Sequence, residues 1–149
     1  MSERWTAEQV AQELLAVLPL LNRIMVSAVR HEAGEETTMP QFRVLALLAE
    51  APQTTSALAR KRRVSLPTMA TLIQSLVERG WVTRIPDPYD RRQHQLQLTD
   101  SGLAHYTRAE DLALSQLIPL LANLSDQQIE AIQIAIPALH QALTSNENE

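Results

Sequence analysis

A proline-flanked turn carrying two adjacent arginines constrains this chain more than any other stretch. Arg84-Ile85-Pro86-Asp87-Pro88-Tyr89-Asp90-Arg91-Arg92 runs into the alternating segment Gln93 to Leu98 and then Thr99-Asp100-Ser101-Gly102. The pattern reads as a short strand, a turn, a second strand and a helix start. Pro86, Asp87, Pro88 and Asp90 favour tight reversal between extended segments. Two guanidiniums at the tip make a permanently charged fork suited to phosphate or to a narrow groove. The same residues also allow a plainer outcome, in which Arg91 and Arg92 pair with Asp87 and Asp90 to stiffen a solvated hairpin.

Charge distribution bears on that choice. The formal net charge is −4, yet residues 60–92 hold eight of the thirteen Lys and Arg and only three of the seventeen Asp and Glu. The local balance is therefore +5, against −9 for the remainder. One basic section in an acidic chain is the footprint of an oriented polyanion contact. Its basic residues are Arg60, Lys61, Arg62, Arg63, Arg79, Arg84, Arg91 and Arg92.

Helical periodicity accounts for most of the rest. Val10, Leu14, Val17, Leu18, Leu21, Met25 and Ala28 recur at three- and four-residue steps, which predicts a first helix over about Thr6 to His31, bent by Pro19 near Leu15. His31 to Thr37 reads as a loop. Thr38-Met39-Pro40-Gln41 is a capping box opening a second helix, with Phe42, Leu45 and Leu48 inward and an end before Pro52. Thr54 or Thr55 caps a short third helix that runs into Arg60–Arg63 with Leu58 and Ala59 buried; cations are at home at a helix C-terminus, so that cluster also has a local explanation. A fourth helix follows Ser65-Leu66-Pro67, buries Met69, Leu72, Ile73, Leu76 and Val77, and stops at Gly80. Its other face offers Thr68, Thr71, Gln74 and Ser75, small polar groups that permit close approach. Thr99 caps a long fifth helix with Leu103, Tyr106, Leu112, Leu117 and Leu121 as its stripe, and Ser125-Asp126-Gln127-Gln128 opens a sixth with Ile129, Ile132, Ile136, Leu139 and Leu143. The fold class predicted is mainly α with a small β-hairpin: a winged helix-turn-helix over about 38–98, flanked by helices in 1–37 and 99–149, all one domain over 1–149. The terminal helices carry more apolar surface than so small a centre covers, which predicts dimerisation.

The run Leu76-Val77-Glu78-Arg79-Gly80-Trp81-Val82, then Asp87-Pro88-Tyr89-Asp90-Arg91-Arg92, then Leu96-Gln97-Leu98-Thr99-Asp100-Ser101-Gly102 resembles the MarR family of bacterial transcriptional regulators. It is similar to that family's helix end, Gly-x-Val strand, D-x-x-D-R-R wing and L-x-x-x-G helix entry. The resemblance implies a homodimeric, ligand-responsive repressor on a pseudo-palindromic double-stranded DNA operator, with the fourth helix in a major groove and the wing in the flanking minor groove. It places Arg92 in the minor groove with Asp90 orienting it, Arg91 on a phosphate or on the Asp87 side of the turn, and Ser65, Thr68, Thr71, Gln74 and Ser75 at the recognition helix, where Gln74 is suited to adenine. It further implies a small lipophilic or phenolic effector, in a pocket for which Met25, His31, Met39 and Phe42 are candidates. Two positions depart from the pattern. Thr71 stands where the family often has arginine, and Arg62-Arg63 where it commonly has Leu-Gly. Arg62 and Arg63 are then candidate phosphate contacts.

Other classes are poorly served. There is no cysteine, which removes disulfides and thiolate metal sites and fits a reducing, cytoplasmic setting. His31, His94, His105 and His140 lack metal-ligand spacing, and no nucleophile motif or phosphate-binding glycine loop is present. The expectation is no enzyme, no metal and no cofactor. No uninterrupted apolar run long enough to span a membrane is expected, nor a signal peptide. The competing reading is a winged-helix protein-interaction module that no longer reads DNA, which the acidic total charge and the altered Arg62-Arg63 junction favour.

Overall fold

A computed structural model describes residues 4–33 and 37–145. Six helices and three short strands follow in the order α1 (Ala7–Ala33), α2 (Met39–Glu50), β1 (Gln53–Thr54), α3 (Thr55–Arg62), α4 (Leu66–Glu78), β2 (Val82–Pro86), β3 (His94–Leu98), α5 (Asp100–Leu121) and α6 (Asp126–Thr144). The middle of the predicted His31–Thr37 loop lies outside the described residues.

The helix starts lie where side-chain chemistry puts them. Thr38 Oγ1 accepts from the Gln41 amide at 3.3 Å while Gln41 Oε1 accepts from the Thr38 amide at 3.0 Å. The same reciprocal pair joins Ser125 to Gln128, and Thr6 to Gln9. Each pair satisfies two backbone donors that a helix start otherwise leaves open. Thr54, Ser65 and Thr99 cap α3, α4 and α5 through their hydroxyls. Gly80, at φ +74, takes the left-handed position that ends α4.

The predicted hairpin is part of a three-stranded antiparallel sheet in the order β1-β3-β2, with Val82 opposite Leu98 and Gln53 opposite Leu96. The β2–β3 hairpin forms as expected, and β1 adds a third strand to it. A two-residue strand behind Pro52 has no alternation to betray it, and only backbone pairing with Gln95 and Leu96 defines it.

The centre is packed by Val44, Leu45 and Leu48 of α2, Leu58 of α3, Met69, Ile73 and Leu76 of α4, and Val82 and Leu96 of the sheet. Fully burying a side chain of this size stabilises the fold by about 1.5–3 kcal/mol. A second cluster joins Val29 of α1 to Phe42 and Ala109, with the Phe42 and Tyr106 rings stacked at 5.4 Å.

The face that α5 turns inward differs from the predicted stripe. Gly102, His105, Ala109 and Ala113 are buried, whereas Leu103 and Leu121 are exposed. Backbones approach closely here, so small residues rather than leucines fill the contact. His105 stacks flat on Trp81, centroids 4.0 Å apart.

α1 continues through Pro19 as one helix of 27 residues. Ala7–His31 is long and apolar enough, by length and composition, to cross a membrane, although it is not an uninterrupted apolar run. Glu8, Glu13, Arg23 and Arg30 interrupt it, and Ala28 and Val29 are buried near its C-terminal end. Its leucines at 14, 15, 18, 20 and 21 are exposed, as are Leu114, Ile118 and Leu120 of α5 and Ile132, Ile134 and Ile136 of α6. No residue of α6 is buried. The protomer therefore leaves the apolar faces of three helices uncovered.

Candidate nucleic-acid interface

α3 and α4 meet in the tight turn at Arg63-Val64. Arg63 adopts φ 51, ψ 45, the left-handed conformation at the position where glycine was expected. Its amide donates to the Arg60 carbonyl at 3.1 Å and that of Val64 to the Ala59 carbonyl at 3.1 Å. The turn thus keeps its geometry with a side chain present, at about 1–2 kcal/mol for a non-glycine residue in this region. Arg62 is half-buried. Arg60 and Arg63 instead share the edge of an open groove of about 370 Å³ with Ser56, Val64 and Leu66. Of the two candidate phosphate contacts, Arg63 lines this groove and Arg62 does not; Arg60, one helical turn before the left-handed residue, lines it with Arg63.

Thr68, Thr71 and Gln74 lie on the exposed side of α4. Ser65 Oγ accepts from the Thr68 amide at 3.2 Å and donates to Thr68 Oγ1 at 2.8 Å. Thr71 Oγ1 donates back to the Pro67 carbonyl at 3.1 Å. Ser75 departs from the expectation: it is half-buried, donates to the Leu72 carbonyl at 2.6 Å and accepts from Gln41 Nε2 at 2.8 Å. It ties α4 to α2 instead of facing outward. Gln74 is also engaged, accepting from Arg84 Nη2 at 2.9 Å and donating to Glu78 Oε1 at 3.0 Å.

The wing tip is built by carboxylate-to-backbone bonds. Asp87 Oδ1 accepts from the amides of Tyr89 and Asp90 at 2.8 and 3.1 Å, and Asp90 Oδ1 from the amide of Arg92 at 3.0 Å. The Tyr89 and Asp90 amides, with help from Gln95, hold the Asp87 carboxyl below its ordinary value of 3.8. Asp90 therefore folds the backbone of Arg92 and does not grip its guanidinium. Nor do Arg91 and Arg92 pair with the two aspartates among the described residues. Both arginines are exposed, and Tyr89 is 96% exposed beside them. The stiffening and the charge are supplied by different residues.

Among the cavities lined by described residues, none brings the four predicted effector residues together. A cavity of about 390 Å³ is lined by Val26, Val29, Arg30, Thr37, Thr38 and Met39. Met25 lines a separate one of about 200 Å³ against α5, with Leu21, Ile24 and Leu114. Phe42 is buried in the second cluster, and His31 is exposed on the last turn of α1. Only Met39 of the four belongs to the larger space; helical phase turns Met25 toward α5 and His31 outward.

The Arg84–Gln74–Glu78 contact was not foreseen, and Arg60 and Arg84 were named only as members of the basic section. Strand alternation was the available signal for Arg84, which shares the inner face of β2 with buried Val82. Glu78 is four residues beyond Gln74, the spacing of neighbours on a helix.

Comparison with known proteins agrees with this architecture. The sequence profile of the MarR family matches residues 37–93. An HTH-type transcriptional regulator of Mycobacterium bovis, Mb0904, is 32% identical over 99 residues, which cover 66% of this chain and 69% of that protein. The crystal structure of RV1404 from Mycobacterium tuberculosis superposes with a TM-score of 0.81 at 21% identity, covering 95% of this chain and 97% of that one. FabT of Streptococcus pneumoniae, solved in complex with DNA, gives a TM-score of 0.75 at 18% identity, covering 94% and 99%. With the family profile lying on the helix-turn-helix and wing, and a relative aligned over most of its length, the chain belongs to the MarR family of transcriptional regulators.

Proposed function

We infer that this regulator acts as a homodimeric repressor on a pseudo-palindromic double-stranded DNA operator, in the cytoplasm. One observation carries the reading: the Arg84–Gln74 bond joins the root of the wing to the exposed side of α4. Helix and charged tip are thereby presented as one surface. α4 enters the major groove with Thr68 and Thr71 toward the bases and Ser65 at its phosphate-facing start. Arg92 enters the minor groove, Arg91 takes a phosphate, and Arg60 and Arg63 hold the backbone beside the turn.

Winged helix-turn-helix 38–98 and terminal segments 1–37 and 99–149 form one domain in this reading. The uncovered faces of α1, α5 and α6 meet their copies in a second protomer; the charges within α1 make a bilayer the poorer partner. A small lipophilic or phenolic acid is the proposed effector, placed in the 390 Å³ cavity where Arg30 supplies a cation.

Selection of duplexes from a randomised pool, followed by titration at several salt concentrations, tests the reading. Enrichment of a two-fold sequence, bound by a dimer with a steep salt slope, is expected. A folded dimer that enriches nothing at low salt would refute it and leave the protein-interaction reading.

A further inference from the structure

Gln74 lies on the side of α4 that faces outward, where a glutamine invites a base-reading role. Its amide is already committed at both ends, to Arg84 of β2 at 2.9 Å and to Glu78 at 3.0 Å. Partner charge fixes the amide orientation: reversal would set its NH2 against a guanidinium and its oxygen against a carboxylate. Both bonds are charge-assisted, and each polarises the amide in the sense that strengthens the other. The three residues come from two elements joined by residues 79–83; backbone bonds from Gly80 to Val77 and from Trp81 to Leu76 hold the start of that link, and the Arg84 contact lies beyond them.

We propose that Arg84, Gln74 and Glu78 form a brace that sets the angle between recognition helix and wing, so that Gln74 is a positioning residue and not a base reader. Strand geometry supports this. Arg84 is opposite Leu96 and shares a face with buried Val82, so its side chain leaves the core edge toward α4 and not toward the tip. Base reading then falls to Thr68 and Thr71, whose methyl groups suit a thymine methyl and whose oxygens can accept from adenine or cytosine amino groups.

The proposal rests on the DNA reading above, and the test separates the two. The variants are Gln74→Met, which keeps length and charge, Arg84→Ala, Arg84→Lys and the Gln74→Met/Arg84→Ala double. In the DNA-free protein, amide exchange at the Asp87 and Gln93 hydrogen bonds should quicken about tenfold in either single variant, no further in the double, and less in Arg84→Lys. Unchanged exchange in both singles would overturn the brace, whether or not the protein binds DNA. On the duplex enriched by the unmodified protein, Gln74→Met should weaken binding about tenfold with the base preference at every position intact and the salt slope unchanged. A preference relaxed at one base pair by Gln74→Met alone would overturn the proposal and return Gln74 to base reading. A salt slope lowered by Arg84→Ala, with Gln74→Met silent, would likewise overturn it and make Arg84 a phosphate contact.

Discussion

Replacing Gly102 with alanine isolates the joint on which wing, core and α5 converge. Gly→Ala inside a helix ordinarily stabilises by about 0.5–1 kcal/mol. Here a Cβ would lie 2.8 Å from the Trp81 carbonyl carbon and 3.0 Å from its Cα, and closer still to its oxygen. These are backbone atoms and cannot rotate away, so α5 must retreat from the end of β2. The retreat strains the Trp81–Thr99 backbone bond at 3.0 Å, the Thr99 hydroxyl bond to the Gly80 carbonyl and the flat His105–Trp81 stack. Two hydrogen bonds at about 1 kcal/mol each and a ring stack at about 0.5–1.5 kcal/mol, less the propensity gain, leave a net loss of about 2 kcal/mol. For a domain of this size that is roughly a 4–8 °C fall in melting temperature. Thermal and urea unfolding at equal protomer concentration measure it, since a dimer's stability depends on concentration. Gly80→Ala is the control. Nothing lies within 4 Å of its added Cβ and only φ +74 opposes it, so it should cost about 1–2 kcal/mol. If Gly102→Ala proves neutral or stabilising, the close approach of α5 to Trp81 is not as described.

Arg92→Ala should weaken binding to the enriched duplex by about 1–3 kcal/mol in free energy, and Arg91→Ala should mainly lower the salt slope by about one, both read by titration at varied salt. Arg63→Gly should relieve the left-handed strain and stabilise by up to about 1 kcal/mol in urea unfolding, while Arg63→Ala keeps the strain and removes the charge; a loss of stability in the glycine variant would refute the strain. Because the folded Asp87 pKa lies below the unfolded 3.8, its stabilisation of the tip is present above 3.8 and is lost as pH falls through the lower folded value. Acid titration followed at the Tyr89 and Asp90 amides should show that loss, and Asp87→Asn should abolish the transition. Ile136→Glu, on the uncovered face of α6, should shift sedimentation from dimer to monomer; an unchanged dimer would place the interface elsewhere.

Legibility in the sequence followed the range of each interaction. Caps are local, and the Thr38–Gln41 and Ser125–Gln128 boxes, the Gly80 stop and the inward face of α2 formed as read. Of the α5 stripe, Tyr106, Leu112 and Leu117 are half-buried and Leu103 and Leu121 exposed in the protomer, because the innermost positions follow the closest backbone approach and not side-chain size. Where a helix backbone sits against Trp81, the inward positions go to Gly102, Ala109 and Ala113, and leucines turn outward. β1 escaped because two residues carry no period. At the candidate interface several side chains have partners that the sequence does not announce: Asp90 meets the Arg92 amide, Ser75 meets Gln41, and Arg60 lines the groove with Arg63. Those pairings depend on rotamers and on distant elements, which spacing alone does not encode.

The two departures from the family pattern have separate consequences in the structure. Arg63 leaves the helix-turn-helix junction intact, since the left-handed turn forms with its two backbone bonds, and it adds a cation beside the groove that Arg60 shares. Thr71 has the opposite effect on α4, replacing a long cation with a hydroxyl bonded to its own helix. Positive charge is thus moved from the middle of the recognition helix to its two flanks, the Arg60–Arg63 edge and the Arg91–Arg92 tip. In the proposed docking these flanking cations contact the phosphate backbone and minor groove, where they would contribute affinity with little base discrimination. On the same proposal, discrimination would rest on short threonine side chains that work only if the helix seats deeply and at a fixed angle. That demand gives the Arg84–Gln74–Glu78 contact its importance: a helix that reads with methyl groups tolerates less error in its docking than one that reads with a long, adaptable arginine.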